Sequence, residues 1–168
     1  MAERKTIHKW YWVWDFEKEE EWLNQMAEEG QLLDGVGWCT YRFRNSLPGE
    51  YVIRLDLDRN DGNFHELLAD AGAECIGKVF KWAYYRRRTD EGPFELYNDI
   101  DSKEDYLNRI IRFIGIVCIL NLAIGLLGIA NDSPAAPLNM LCAALLSYAI
   151  GRIHGKKEVL QKERKLHE

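Results

Sequence analysis

Residues 27–44 read AEEGQLLDGVGWCTYRFR, and residues 69–86 read ADAGAECIGKVFKWAYYR. At an offset of 42 residues, Ala27, Gly30, Gly35 and Arg44 meet Ala69, Gly72, Gly77 and Arg86. The aromatics Trp38 and Phe43 likewise meet Phe80 and Tyr85. This echo divides the N-terminal part of the chain into two βαβ-like halves. In the first half, His8–Phe16 (HKWYWVWDF) is dense in aromatic strand formers. Asp15 offers a helix cap, and Glu17, Glu19, Glu20 and Glu21 suit the positive end of the helix that follows. Trp22, Leu23 and Met26 supply its apolar stripe, and Gly30 ends it. Leu32–Arg44 reads as a second strand. Tyr51–Asp58 alternates in apolarity as a half-buried third strand should. A turn at Asn60-Asp61-Gly62-Asn63 leads to a short helix over Phe64–Ala71, and Glu74–Arg87 is the last strand. The order strand, helix, strand, strand, helix, strand predicts an α+β, ferredoxin-like βαββαβ domain over residues 1–88. Its four antiparallel strands would carry both helices on one face, with Leu23, Met26, Leu67 and Leu68 beneath them.

Charge divides the chain differently. Residues 1–112 hold 16 Lys and Arg against 23 Asp and Glu, a net charge of −7. Residues 113–151 carry one charge, Asp132, and residues 152–168 form a basic tail with six Lys or Arg against three Glu. Phe113–Asn131 and Ser133–Gly151 are each uncharged throughout, and at about 1.5 Å per residue each reaches across a bilayer core of roughly 30 Å. The expected spans are about 112–131 and 135–151, within a segment 103–151 that starts as an amphipathic lead-in after a linker over 89–102. Asp101 and Ser102, each with an acid three residues on, resemble a capping box at that start. Lys103, Arg109 and Arg112 precede the first span, Arg152, Lys156 and Lys157 follow the second, and the loop between has no Lys or Arg. The positive-inside rule then expects a multi-pass protein of the inner, cytoplasmic membrane with both termini cytoplasmic. Met1–Phe16 has no uninterrupted apolar run, so no cleaved leader is expected. Cys39, Cys75, Cys118 and Cys142 show no C-x-x-C spacing and read as buried thiols of a reducing compartment.

Several motifs carry a resemblance. Phe16-Glu17-Lys18-Glu19, Trp22-Leu23-Asn24, Met26-Ala27 and Gly30 resemble the opening of the bacterial family called domain of unknown function 2812. Pro48-Gly49-Glu50-Tyr51 with Arg54-Leu55-Asp56 resembles its central hairpin, and Gly92-Pro93-Phe94-Glu95-Leu96-Tyr97 its closing segment. The resemblance spans Trp10 to Arg109, departing at Gln31, where the family often has Trp or His. It implies C-terminal membrane spans. Because such proteins are often encoded beside PadR-like transcriptional regulators, it also implies a regulatory or sensing role. It brings no catalytic residues.

The residues exclude more chemistry than they suggest. Asp56-Leu57-Asp58-Arg59-Asn60-Asp61-Gly62 mimics a calcium loop, but its glycine is one residue late and Leu67 stands where a bidentate Glu is needed. No metal site, cofactor or catalytic residue is expected, since nucleophile-elbow, zinc and phosphate-loop motifs are all missing from the sequence. Arg86-Arg87-Arg88 beside Trp82 and Tyr84 has the flavour of an RNA-binding sheet, yet the acidic domain repels phosphate backbones, so no nucleic-acid partner is expected. Those arginines, with Arg152, Lys156 and Lys157, are instead expected to face anionic lipid. The aromatic surplus is the strongest signal. Trp10, Trp12, Trp14, Trp38, Trp82 and Tyr84 exceed what one core layer needs, so they are expected to form a partner- or ligand-binding sheet face. In the spans, Ala143, Ser147 and Gly151 form a small-residue face, and with Asn121 they are expected to pack membrane helices, including those of a second copy. The chain thus reads as a membrane-anchored, non-enzymatic sensor or regulatory module, its partner a second copy or another membrane or regulatory protein. The competing reading is an accessory subunit of a membrane transporter.

Overall fold

The computed structural model describes residues 4–58, 62–97 and 99–167, the side chains of 163 and 165–167 excepted. The turn expected at Asn60-Asp61 and the central part of the calcium-like loop lie outside these residues. The chain divides into two compact units, Met1–Leu96 and Tyr97–Glu168.

In the first unit the described residues hold six strands: β1 (Arg4–His8), β2 (Gln31–Gly37), β3 (Thr40–Asn45), β4 (Tyr51–Leu57), β5 (Glu74–Val79) and β6 (Trp82–Arg88). Helix α1 (Phe16–Glu28) lies between β1 and β2, and α2 (Gly62–Asp70) between β4 and β5. The strands form two antiparallel three-stranded sheets, ordered β1-β3-β2 and β4-β6-β5. This α+β architecture replaces the single four-stranded ferredoxin-like sheet expected from the sequence. Leu32–Arg44 and Glu74–Arg87, each read as one strand, fold back on themselves at Trp38-Cys39 and Phe80-Lys81. Neither two-residue turn carries the Asn-Gly or Gly pair that normally announces a hairpin. Cys39 and Phe80 instead adopt positive φ, at 49° and 53°.

The echo is structural. Each half is βαββ with the same strand order, and each helix ends at a left-handed glycine, Gly30 at φ 79° and Gly72 at φ 82°. Their amides donate to Ala27 and Ala69 respectively, both at 3.0 Å. Each hairpin slips register once, between Leu33 and Gly35 and between Cys75 and Gly77. Gly77 also permits the halves to meet, because a Cβ there would stand 3.1 Å from Val36 of β2. From β6, Arg86 donates to the Leu33 carbonyl at 2.9 Å.

The main core gathers Leu23, Met26, Ala27, Leu33, Tyr41, Phe43, Ile53, Leu55 and Tyr84 from both halves. A smaller cluster joins Leu68, Ala73, Ala83, Tyr85 and Phe94, whereas Leu67 is exposed rather than beneath the helix. Helix α1 also closes an edge. The free side of β4 is met by Asn24, whose amide donates to the Ile53 carbonyl at 3.0 Å and accepts from the Ile53 amide at 2.8 Å. Glu20 accepts from the Leu55 amide one rung further along. Side chains thus stand in for the missing neighbouring strand.

The second unit is a pair of long helices, α3 (Ile100–Ala130) and α4 (Ala136–His167). Asp99 caps α3 by accepting from Ser102, so the helix opens slightly earlier than the expected box. Near the connecting turn the helices approach through glycine. A Cβ on Gly128 would come 3.0 Å from that of Ala136, and one on Gly125 would come 2.8 Å from the Met140 sulfur. At the other end Glu104 pairs with Lys157, and Asp101 with Arg164. Helix α4 continues unbroken through the basic tail. Between these ends Ile116, Ile119, Leu120, Leu127, Leu138 and Leu141 are exposed, so two helices long and apolar enough to cross a membrane present apolar faces outward.

Replacing Asn24 with Leu keeps volume but orphans the Ile53 amide and leaves its carbonyl to Arg54 alone. Chemical denaturation of the full chain, followed by tryptophan fluorescence, should show a loss of about 1–3 kcal/mol, whereas an unchanged midpoint would mean the edge needs no side-chain closure.

Candidate functional site

After His8, β1 runs out of partner. Its last rung pairs His8 with Thr40, where the β2–β3 hairpin begins, and Lys9 then donates to the Cys39 carbonyl at 3.1 Å. The aromatic run expected as a strand over His8–Phe16 is therefore mostly a loop, with β1 lying earlier, at Arg4–His8. It turns into α1 where the Asp15 amide donates to the Trp12 carbonyl at 2.8 Å. The two-residue alternation survives this change. Trp10 and Trp12 meet edge to face at 5.5 Å, and Trp12 stacks on Trp14 at 4.9 Å and 6°. Tyr11 turns the other way, toward Trp22.

This loop covers the place where both hairpin tips meet, with Trp38 and Phe80 ring centroids 4.6 Å apart. Beneath lies a cavity of about 220 Å³. Of the six aromatics expected to share a working face, Trp10, Trp12, Trp38, Trp82 and Tyr84 line it, and Trp14 stacks behind Trp12. They share a cleft between two sheets rather than the open face of one. Phe80 is 75% exposed, Trp38 61%, Trp10 53% and Trp12 46%, so the rim is an aromatic patch left to solvent in this domain.

The floor is polar. Glu19, itself buried, accepts hydrogen bonds at one oxygen, Oε1, from the Tyr41 hydroxyl at 2.7 Å and the Tyr84 hydroxyl at 2.6 Å. Oε2 accepts none from any described residue. Burial pushes the Glu19 carboxyl above its ordinary range, against the two phenols that stabilise its charge. Burial and the Glu19 charge push Tyr11 up to about 12 and Tyr41 and Tyr84 further still. Sequence reading counted Glu19 only as helix-start charge. The usable signal was its position four residues before Leu23, on the stripe that continues through Met26 and Ala27.

The other expected residues are placed as follows. Arg86, expected to face lipid, is instead buried, held by Glu74 and the Leu33 carbonyl. Arg87 pairs with Glu91, and Arg88 with Glu50 and Asp90. In the second unit, Lys157 bonds Asn108 and Glu104, Lys156 is half-buried and Arg152 exposed. Ala143 is buried, Ser147 lies 3.4 Å from the Cys118 sulfur, and Gly151 faces open space. Asn121 donates back to the Val117 carbonyl of its own helix. Away from the cavity, Asp58 takes His65 and Lys78 on separate oxygens, and the Tyr85 hydroxyl contacts His65 at 2.6 Å. With both oxygens so engaged, Asp58 acts as an anchor between α2 and β5.

Fold and site together define a twice-repeated βαββ module with an aromatic, carboxylate-floored cavity at its hairpin tips, followed by an apolar helical hairpin. Residues 15–119 match the family described as protein of unknown function (DUF2812), and the chain belongs to it. No curated protein and no solved structure matches the chain.

Beside Glu19, burial pushes Glu20 up to about 7, outweighing the Leu55 amide and Arg54. A carboxyl raised in the folded state stabilises that state most below its ordinary value near 4.5, and this contribution is lost as pH rises toward 7. Melting of the Glu20→Gln chain, followed by near-ultraviolet circular dichroism, should lose less stability than the parent across that window. Parallel profiles would contradict the raised carboxyl.

Proposed function

We propose that this chain is a membrane-anchored, non-enzymatic sensory module that takes a small ligand in the aromatic cavity. The hairpin α3–α4 crosses the inner membrane, with both termini cytoplasmic and the sheet domain on the cytoplasmic side. The absence of Lys and Arg between the spans and their abundance after the second support this orientation. The apolar residues exposed along both helices support insertion in lipid.

One observation carries the ligand reading: five widely spaced aromatics converge on a single concavity with a buried acid at its base. Protein-docking surfaces are flatter, whereas ligand sites are concave, mostly apolar and fixed by a few polar groups. The cavity walls come from both βαββ halves and from the loop ahead of α1, so an occupant touches both sheets and α1. Such a site suits a sensor, because occupancy is felt by both sheets at once.

The full chain, labelled with 5-fluorotryptophan and held in lipid nanodiscs, provides a test. Fluorine spectra taken with the low-molecular-mass fraction of a cytoplasmic extract should shift the Trp12, Trp38 and Trp82 lines and leave Trp22, half-buried against the core outside the cavity lining, in place. Trp38→Ala should abolish the remaining shifts. Shifts produced only by the macromolecular fraction would replace the ligand with a protein partner.

A further inference from the structure

The cavity's chemistry narrows its occupant. A carboxylate taken out of water costs several kcal/mol unless a cation or several donors compensate it. Glu19 has two phenolic donors, both on Oε1, and among the described residues no Lys, Arg or His pairs with it. Lys9 also lines the cavity, but its ammonium stands over the Trp22 ring, 4.2 Å from the centroid, and 4.9 Å from that of Tyr11. The walls also include the rings of Trp10, Trp12, Trp38, Phe80 and Trp82. Aromatic faces carry negative potential and attract positive charge, most strongly where water is excluded. At about 220 Å³ the space is below the roughly 300–1,000 Å³ of sites for drug-sized molecules, which limits it to a single small ring or head group.

We infer that the cavity binds a small organic cation, a substituted ammonium, whose apolar groups lie against the tryptophan and phenylalanine rings while Glu19 serves as counter-ion. This deepens the ligand reading above and rests on it. Both phenols then have a second purpose. By donating to Oε1 they hold the carboxylate's orientation and favour its ionised form, leaving Oε2 as the oxygen that no described residue takes. A neutral ligand would satisfy the rings and leave that oxygen unmet. An anion would meet the carboxylate's repulsion.

Two probes of the same shape separate charge from shape: benzyltrimethylammonium and its uncharged carbon isostere, neopentylbenzene. Each is titrated into the fluorotryptophan-labelled full chain in nanodiscs, with free concentrations corrected by partition into empty discs. The cation should move the Trp12, Trp38 and Trp82 lines and bind at least about tenfold more tightly than the isostere. Glu19→Gln, which keeps volume and still accepts from both hydroxyls, should erase that preference and leave isostere binding within about twofold. An unmoved Trp22 line reports an intact core in the variant, and the comparison within the parent chain needs no variant at all. Equal affinity of the two probes for the parent chain, or cation binding unaltered by Glu19→Gln, would overturn the cation inference and leave the ligand reading standing. Failure of both probes to bind would overturn the two together.

Discussion

Through the Tyr41 and Tyr84 hydroxyls, Glu19 fixes helix α1 to β3 of one sheet and β6 of the other. Among the described residues no hydrogen-bonded ladder joins the two sheets. What holds them in register is therefore side-chain packing, the Arg86 bridge to Leu33, the Asn24 and Glu20 bonds from α1 to β4, and this three-way junction on a single oxygen. The cavity exists because the junction lies below it. Replacing the acid by an apolar residue would strip two buried hydroxyls of their acceptor, a heavier loss than the hydrogen bonds alone suggest. Charged hydrogen bonds of this kind are strong but costly to bury.

The repeat was legible because glycine leaves a backbone signature. Gly30 and Gly72 end their helices at positive φ, where a side chain is strained, and at Gly30 an added Cβ would also stand 3.0 Å from the Ser46 carbonyl oxygen. This glycine pair, with three further identities at the same offset, thus reported two equal supersecondary units. The hairpins were hidden for the opposite reason. Trp38-Cys39 and Phe80-Lys81 turn with residues that normally read as strand, because their rings are needed at the cavity rim and tertiary contact overrides turn preference. A reader of sequence alone therefore counts two strands too few and closes a four-stranded sheet that the chain does not make.

The site was half legible. Aromatic surplus identified its walls, since rings in excess of one core layer must meet something else. It did not identify the floor. Glu19, in a run of acids ahead of Trp22, looks like favourable charge at a helix start, and only its register with Leu23 and Ala27 separates it from solvent-facing Glu17 and Glu21. The arginine triplet misled in the same way. Alternation puts Arg86 and Arg88 on one face and Arg87 on the other, yet Arg86 alone is buried, bonded to Glu74 and the Leu33 carbonyl, while Arg87 and Arg88 meet acids of the adjoining turns. In the helical hairpin, by contrast, charge depletion and length alone define the two apolar helices, because nothing local competes with a signal that long.

The central claim is that Glu19 is a buried carboxylate held by two phenols at the base of the cavity, and its own titration tests this most directly. With 13C-labelled glutamate in the full chain, the Glu19 carboxyl resonance should titrate above the exposed glutamates. Its midpoint should rise again in Tyr84→Phe, because that hydroxyl stabilises the charged form. A Glu19 resonance that titrates with the exposed glutamates and ignores Tyr84→Phe would contradict the account.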